Sequence, residues 1–289
     1  MTQPPVLVTG ATGNVGSRVV ALLLDAGVPV RGAASSIDRV RARFGDTVEA
    51  VALDFADSQT WGPAYEGVER MFLIRPPHLG KPKTQMLPSL EAARAAGVAR
   101  MVFLSLQGAE HNKVVPHAAI EAWLRVSGVA WTFVRASFFM QNLSTTHAAD
   151  IRDRDEILVP AGRGATAFVD AGDVAAVAAQ ALIHPEQHRD RAWTPTGSEA
   201  LTYGEVAEIL STTLHRRIRY ARPGVLAYAR HAHAVLGMPW AMVGVTVAIY
   251  TLARLGRAAD LTDDVELVTG RLPVTFAEFA DRARSSWTP

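Results

Sequence analysis

Short apolar runs alternate with longer segments of helical period through the first half of the chain. The runs at 6–9, 28–33, 48–53, 70–74, 101–105 and 131–135 are apolar and bounded by turn residues, the pattern of strands covered on both faces. Between them, apolar positions three and four apart predict helices near 14–26, 36–43, 58–66, 84–96 and 117–127. Gly97 and Gly128 fall where a helix must stop before the next strand. This rhythm predicts a doubly wound parallel α/β domain over residues 1–150.

Beyond about residue 140 the regular series ends, and 151–289 reads as a smaller α/β portion that binds and caps the substrate, with some of its elements returning to the first domain. The charged turn at 151–156 marks the boundary. Asp170, Thr202 and Thr275 each precede an acid by three residues, which predicts three capped helix starts. Residues 234–253 carry no charge and reach about 20 residues, the length of a membrane span. Gly237, Pro239 and Gly244 divide the segment, so it is read as a buried or lid-forming helix pair and no membrane partner is expected.

With 49% hydrophobic residues, 20% charged and a net charge of +1, the composition is that of an ordinary soluble α/β protein and gives no basis for direct nucleic-acid binding. The absence of cysteine excludes thiol catalysis, disulfides and thiolate metal sites. His231 and His233, two apart, make a poor metal pair, and no metal is expected. The start MTQPPVLVTG has neither a basic leader nor a long apolar stretch, so a cytoplasmic location is expected.

The chemistry begins after the first strand. In VLVTGATGNVGSRVV, Gly10, Gly13 and Gly16 lie between a strand and the mouth of an amphipathic helix. The first glycine permits the tight turn, the second lets backbone approach a pyrophosphate, and the third lets helix pack on strand. The helix N-terminus adds free N–H groups and a positive dipole end. A dinucleotide site of Rossmann type follows. No acid stands at the end of the second strand, where a ribose-binding carboxylate would be expected. Ser35, Ser36 and the nearby Arg31 or Arg39 instead favour NADP over NAD through a 2′-phosphate. Asp54, just past the third strand, suits either an adenine amino group flanked by Phe55 or a turn cap.

Together VTGATGNVGSRVV, LDFAD, FLIRPP, AARAAGVARMVFLSL, HAAIEAWLRVSGVAWTFVRASFFMQN and LVTGRLPVTFAEFA resemble the NmrA-like proteins, atypical members of the short-chain dehydrogenase/reductase superfamily. The resemblance implies an NAD(P)-binding Rossmann domain with a smaller C-terminal portion. It places Gly10, Thr12, Gly13, Asn14, Val15 and Gly16 at the pyrophosphate, Asp54 and Phe55 at the adenine, and Ile74, Arg75 and Pro76 towards the nicotinamide. Such proteins include reductases of quinones, triphenylmethane dyes and other conjugated molecules, and dinucleotide-sensing regulators. A basic residue that many of them carry after the second strand is here Ser35 or Ser36.

A typical member of the superfamily follows its fifth strand with a serine and a Tyr-x-x-x-Lys pair, whose tyrosine donates a proton. Ser105 matches the serine, but the pair is replaced by His117 and Glu121. Three readings of His117 stand side by side: a general acid tuned by Glu121 one turn on, a cofactor or substrate contact, or an exposed first turn of a helix with Pro116 at N1. Lys113, just before that helix, is a further catalytic candidate or a solvent-exposed loop residue, and Tyr250 with Arg254 reads as packing. Arg135 and Asn142 are polar residues in an apolar setting at the end of the sixth strand. Phe138, Phe139, Met140, Asn142 and Trp240 are candidate pocket residues, with core packing the equal alternative for the first three.

The sequence thus predicts an NAD(P)H-dependent reductase of a small hydrophobic, conjugated or carbonyl-bearing substrate, without a Tyr-x-x-x-Lys pair and with room for a homodimer. The alternatives are an NAD(P)-sensing regulator acting through a protein partner, and an isomerase on the same fold.

Overall fold

The first unit is built as the strand rhythm predicts. In the computed structural model, which describes residues 3–288, the chain runs β1 (Val6–Thr9), α1 (Gly16–Asp25), β2 (Val30–Ala34), α2 (Ile37–Phe44), β3 (Glu49–Ala52), α3 (Trp61–Tyr65), β4 (Arg70–Ile74), α4 (Pro82–Gln85), α5 (Leu87–Ala95), β5 (Arg100–Leu106), α6 (Pro116–Val126) and β6 (Ala130–Ala136). It then enters a second unit through β7 (Phe138–Phe139), α7 (Gln141–Ser144), α8 (Ala148–Arg154), β8 (Glu156–Ile157) and β9 (Ala165–Val169). The chain returns to the first for α9 (Ala171–Ile183) and β10 (Arg191–Trp193). The division falls at Ala136 rather than near residue 150, because the sixth strand runs on to Ala136 and Ser137 already bonds the carbonyl of Ala167 in the second unit.

The seven strands of the first unit are all parallel, in the order β10-β6-β5-β4-β1-β2-β3. Connections run outward in one direction from β1 and in the other from β4, so the switch point lies between these two strands. The Thr9 hydroxyl stitches them at that point, donating to the Phe72 carbonyl at 3.0 Å and accepting from the Ile74 N–H at 2.8 Å. One core layer gathers Leu7, Met71, Leu73, Phe103, Ile120 and Phe133 beneath the sheet. Helix α9 packs beside α1 and against the sheet strands β4, β5 and β6.

The second unit continues with β11 (Ala200–Thr202), α10 (Tyr203–Leu214), β12 (Arg219–Tyr220), α11 (Val225–Ala234), α12 (Trp240–Arg254) and α14 (Phe276–Arg282), while α13 (Asp264–Thr269) is divided, its residues from Leu267 on belonging to the first unit. Its β9 lies between antiparallel β11 and parallel β7, and β12 pairs with β8. Two of the expected capping boxes close reciprocally, Thr202 with Glu205 and Thr275 with Glu278, and α9 begins directly after Asp170. The uncharged segment is broken between Ala234 and Trp240 and runs unbroken through Gly244. Within the core of this unit His147 Nε2 lies 2.8 Å from the Tyr250 hydroxyl. Burial lowers the His147 pKa to about 4 against the opposing charge of Asp150. Trp287 is fully buried, and its Nε1–H donates to the Leu143 carbonyl at 2.8 Å.

Candidate active site

The C-terminal edge of the parallel sheet in the first unit collects the candidate residues. Between β1 and α1 the Gly13 N–H closes the turn on the Gly10 carbonyl at 2.9 Å, with Gly10 at φ +61°. A Cβ on Gly16 would lie 2.2 Å from the Gly10 carbonyl oxygen, so the third glycine is required by packing of helix on strand. Gly10, Gly13 and Asn14 are exposed, Thr12 is half-buried, and the N-terminus of α1 at Val15 has no side-chain cap. Ile74, ending β4, borders this turn: a Cβ on Gly10 would meet its Cδ1 at 3.4 Å.

At the end of β2 Ser35 is exposed, and Ser36 takes the N-cap position of α2 without its hydroxyl capping the helix. Arg31 does not join them. It sits mid-strand in register with Glu49, binds that carboxylate at 2.9 Å and donates to the Glu66 carbonyl at 2.6 Å. With its charge spent there, the phosphate role expected of Arg31 is withdrawn. Asp54 is a turn cap, its Oδ1 accepting the Ala56 N–H at 2.9 Å, with Oδ2 outside that turn. The Phe55 ring is 5% exposed within the apolar core, which corrects the expectation that it flanks an adenine.

After β4, Arg75 folds onto its own loop and donates to the carbonyls of Pro76, Pro77 and Leu79 at 2.9 to 3.1 Å. That loop is tied down, and its charge acts on His117. His117 is the second residue of α6, after Pro116 at N1. Its ring stacks on Phe103 of β5 at 5.9 Å, and its Nδ1 is buried without a hydrogen-bond partner. Burial first, and then the Arg75 guanidinium, lower the His117 pKa to about 4, with Glu121 only partly opposing them. A ring with that pKa is neutral at pH 7, and its half-buried place with Nδ1 enclosed departs from the exposed-turn reading.

Glu121 has other partners. Its carboxylate, 1% exposed, accepts from the Ser105 hydroxyl at 2.7 Å, from Arg135 Nε at 3.0 Å and Nη2 at 2.7 Å, and from Arg125 Nη2 at 3.1 Å. Burial alone would raise its pKa, but the hydrogen bonds from Arg135 and Ser105 and the two arginine charges prevail and lower it. Arg125 is held over the Phe133 ring at 4.8 Å, and Arg135 also reaches Glu110 at 3.3 Å. Ser105 and Arg135 are directly paired across β5 and β6. The serine expected to be catalytic is thus committed to an ionic cluster. Sequence reasoning missed that cluster, although Arg135 stood out as a charge in an apolar strand.

Lys113 stands exposed in the loop before α6. The expected pocket residues belong to the second unit. There Phe138 and Phe139 are half-buried, Asn142 is exposed and Trp240 is 59% exposed. Met140 is 1% exposed in the core of that unit, a packing residue rather than a pocket wall.

The chain matches the model of the NmrA-like family over residues 2–239. It is 38% identical over 283 residues to the NAD(P)H azoreductase of Xenophilus azovorans, covering 95% of this chain and 96% of that protein. Among solved structures it is similar to the triphenylmethane reductase of Citrobacter sp. complexed with NADP(H), with a TM-score of 0.85 at 24% identity over 96% of this chain and 99% of that one. It is likewise similar to the NADPH-dependent quinone oxidoreductase of Escherichia coli, with a TM-score of 0.86 at 23% identity and the same coverage. These two structures share the fold.

Proposed function

The chain belongs to the NmrA-like family, and from that membership we propose that it is an NAD(P)H-dependent reductase of a small hydrophobic substrate, conjugated or carbonyl-bearing. The observation that carries this reading is the bare turn at the switch point, where Gly10 and Gly13 expose backbone beside an uncapped helix start. The azoreductase relative, alike over nearly its whole length, supports it. So do the donors around the turn, which fit a phosphorylated dinucleotide.

Residues 10 to 16 would hold the pyrophosphate through their N–H groups. Ser35 and Ser36 would take a 2′-phosphate, favouring NADP over NAD, and Asp54 keeps Oδ2 for an adenine amino group. A bound nicotinamide supplies hydride. The chain's own part is to orient and polarise. A neutral His117 can donate an N–H hydrogen bond to an acceptor atom of the substrate, as neutral imidazoles do elsewhere, but has no readily lost proton to deliver. Protonation after reduction then falls to water, which suits an extended, electron-poor substrate.

The test is consumption of reduced nicotinamide in the presence of quinones, azo dyes and triphenylmethane dyes. Turnover that stops when substrate or NADPH is omitted supports the reading. No consumption across the set, together with unequal affinities for NADPH and NADP⁺, would replace it with a sensor, and product formed without cofactor consumption would indicate an isomerase.

A further inference from the structure

Between Glu208 and Asp260 the chain carries seven arginines and no carboxylate. Helices α11 and α12 lie inside this stretch, and α12 has no charged residue before Arg254 at its end. Val243, Tyr250 and Ala253 bury one face of α12. On the opposite face Val245, Ile249 and Leu252 are 54%, 40% and 42% exposed, at a spacing that aligns them along one stripe. Leu255, 65% exposed, extends the stripe at its C-terminal end, and Trp240, 59% exposed, stands in the first turn on another side of the helix. A helix apolar on all sides is ordinarily covered on all sides, so this face is unpartnered.

The neighbouring helix continues the patch. Leu226 of α11 is 73% exposed, and Arg230, one turn further, and His233 point the same way out of that helix. The His233 ring stacks on Trp240 at 4.3 Å, joining that face of α11 to the first turn of α12. Arg216 and Arg219 are paired with Asp155 and Glu156 at 3.2 and 2.8 Å. Among the described residues, the exposed Arg222, Arg230, Arg254 and Arg257 form no ion pair.

We propose that α11 and α12 dock the protein on an anionic lipid surface, the apolar stripe resting at the acyl boundary and the unpaired Arg222, Arg230 and Arg257 meeting phosphate headgroups. An exposed aliphatic stripe on an uncharged helix with basic flanks is the pattern of an interfacial helix. The docking is peripheral. Fifteen residues of α12 extend roughly 22 Å, short of the ~30 Å hydrocarbon core, and no described helix is long and apolar enough to cross a membrane. A second copy fits less well, since a two-fold contact would set the same unpaired arginines against each other with no carboxylate in the segment to offset them. The inference stands apart from the reductase reading, because its test needs neither cofactor nor substrate.

The experiment is co-sedimentation of the full chain with vesicles of phosphatidylcholine containing about one quarter phosphatidylglycerol, and with phosphatidylcholine alone. Binding should require the anionic lipid and weaken as salt rises. The Ile249→Asp, Leu252→Asp double variant should lose more than about tenfold in partitioning. Each arginine near such a surface strengthens binding roughly 5-fold, so Arg222→Gln with Arg230→Gln should lose about 25-fold. All four side chains are exposed, so thermal unfolding should scarcely change. No binding at low salt, or binding indifferent to both double variants, overturns the proposal. So does a concentration-dependent dimer that Ile249→Asp, Leu252→Asp abolishes in protein that ignores the vesicles, which would assign the face to a second copy.

Discussion

Ser105 donates its hydroxyl to Glu121 at 2.7 Å, and the carboxylate that receives it is also bound by Arg135 and Arg125. The positions where a typical member of the superfamily keeps its serine and its lysine are therefore joined in a buried ionic cluster. The residue at the tyrosine position, His117, lies outside those bonds with its Nδ1 unpartnered.

The cluster should matter for stability first. Glu121→Ala strands the buried Arg135 and should cost about 3–5 kcal/mol. Ser105→Ala removes one hydrogen bond to a charged group and should cost about 1.5–3 kcal/mol, with turnover reduced less than about threefold. Urea titration and steady-state kinetics decide the point. A loss of turnover of about 100-fold in stable Ser105→Ala would restore a catalytic serine.

The glycine turn offers a paired comparison. Gly13→Val should weaken NADPH binding by about 100-fold or more with a smaller loss of stability than at Gly16, since its Cβ would lie 3.2 Å from the Gly10 carbonyl oxygen and only a hydrogen leaves room for a pyrophosphate. Gly16→Val should instead lower stability by several kcal/mol, because its Cβ would fall 2.2 Å from backbone. Calorimetric titration and thermal unfolding of both variants separate the two effects.

Acid should loosen the fold through two histidines with lowered pKa values. The pKa values of His117 and His147 are both held near 4, below the ~6.5 of an unfolded chain, so between those values the unfolded state binds the extra protons. Stability is complete above about pH 6.5 and declines towards pH 4, by up to ~3 kcal/mol for each ring. His117→Phe should flatten that decline. In Arg75→Gln the His117 titration, followed by NMR of the imidazole, should move upward, since a repelling charge has gone. A His117 resonance that titrates near pH 6.5 in the unaltered protein would contradict its neutrality.

Cofactor preference should be reversible at the end of β2. Ser35→Asp places a carboxylate where a 2′-phosphate is expected, and should lower NADPH affinity by about tenfold or more while sparing NADH. Equal effects on both cofactors would remove Ser35 from the phosphate site.

The parts of this protein legible in its sequence are those fixed by neighbours along the chain. The glycine turn, the six strands before residue 137 and the two reciprocal capping boxes rest on spacings of a few residues. What escaped depends on register and tertiary packing. Arg31 looked available until β3 set Glu49 opposite it, and Phe55 looked like an adenine shelf until the core closed over its ring. Glu121 faces its own helix neighbour Arg125 and, across the sheet, Arg135. A helical repeat can suggest the first partner, but not the second.

The burial of Trp287 bears on the order in which the protein can assemble during synthesis. The seven-stranded sheet has all its strands once Trp193 has been made. The second unit needs Trp287 to fill its core and bond Leu143, so that core stays open until Trp287 has been made. Its apolar surfaces then stay exposed on the nascent chain longer than those of the seven-stranded sheet, and this later-closing unit is where chaperone binding and aggregation should concentrate.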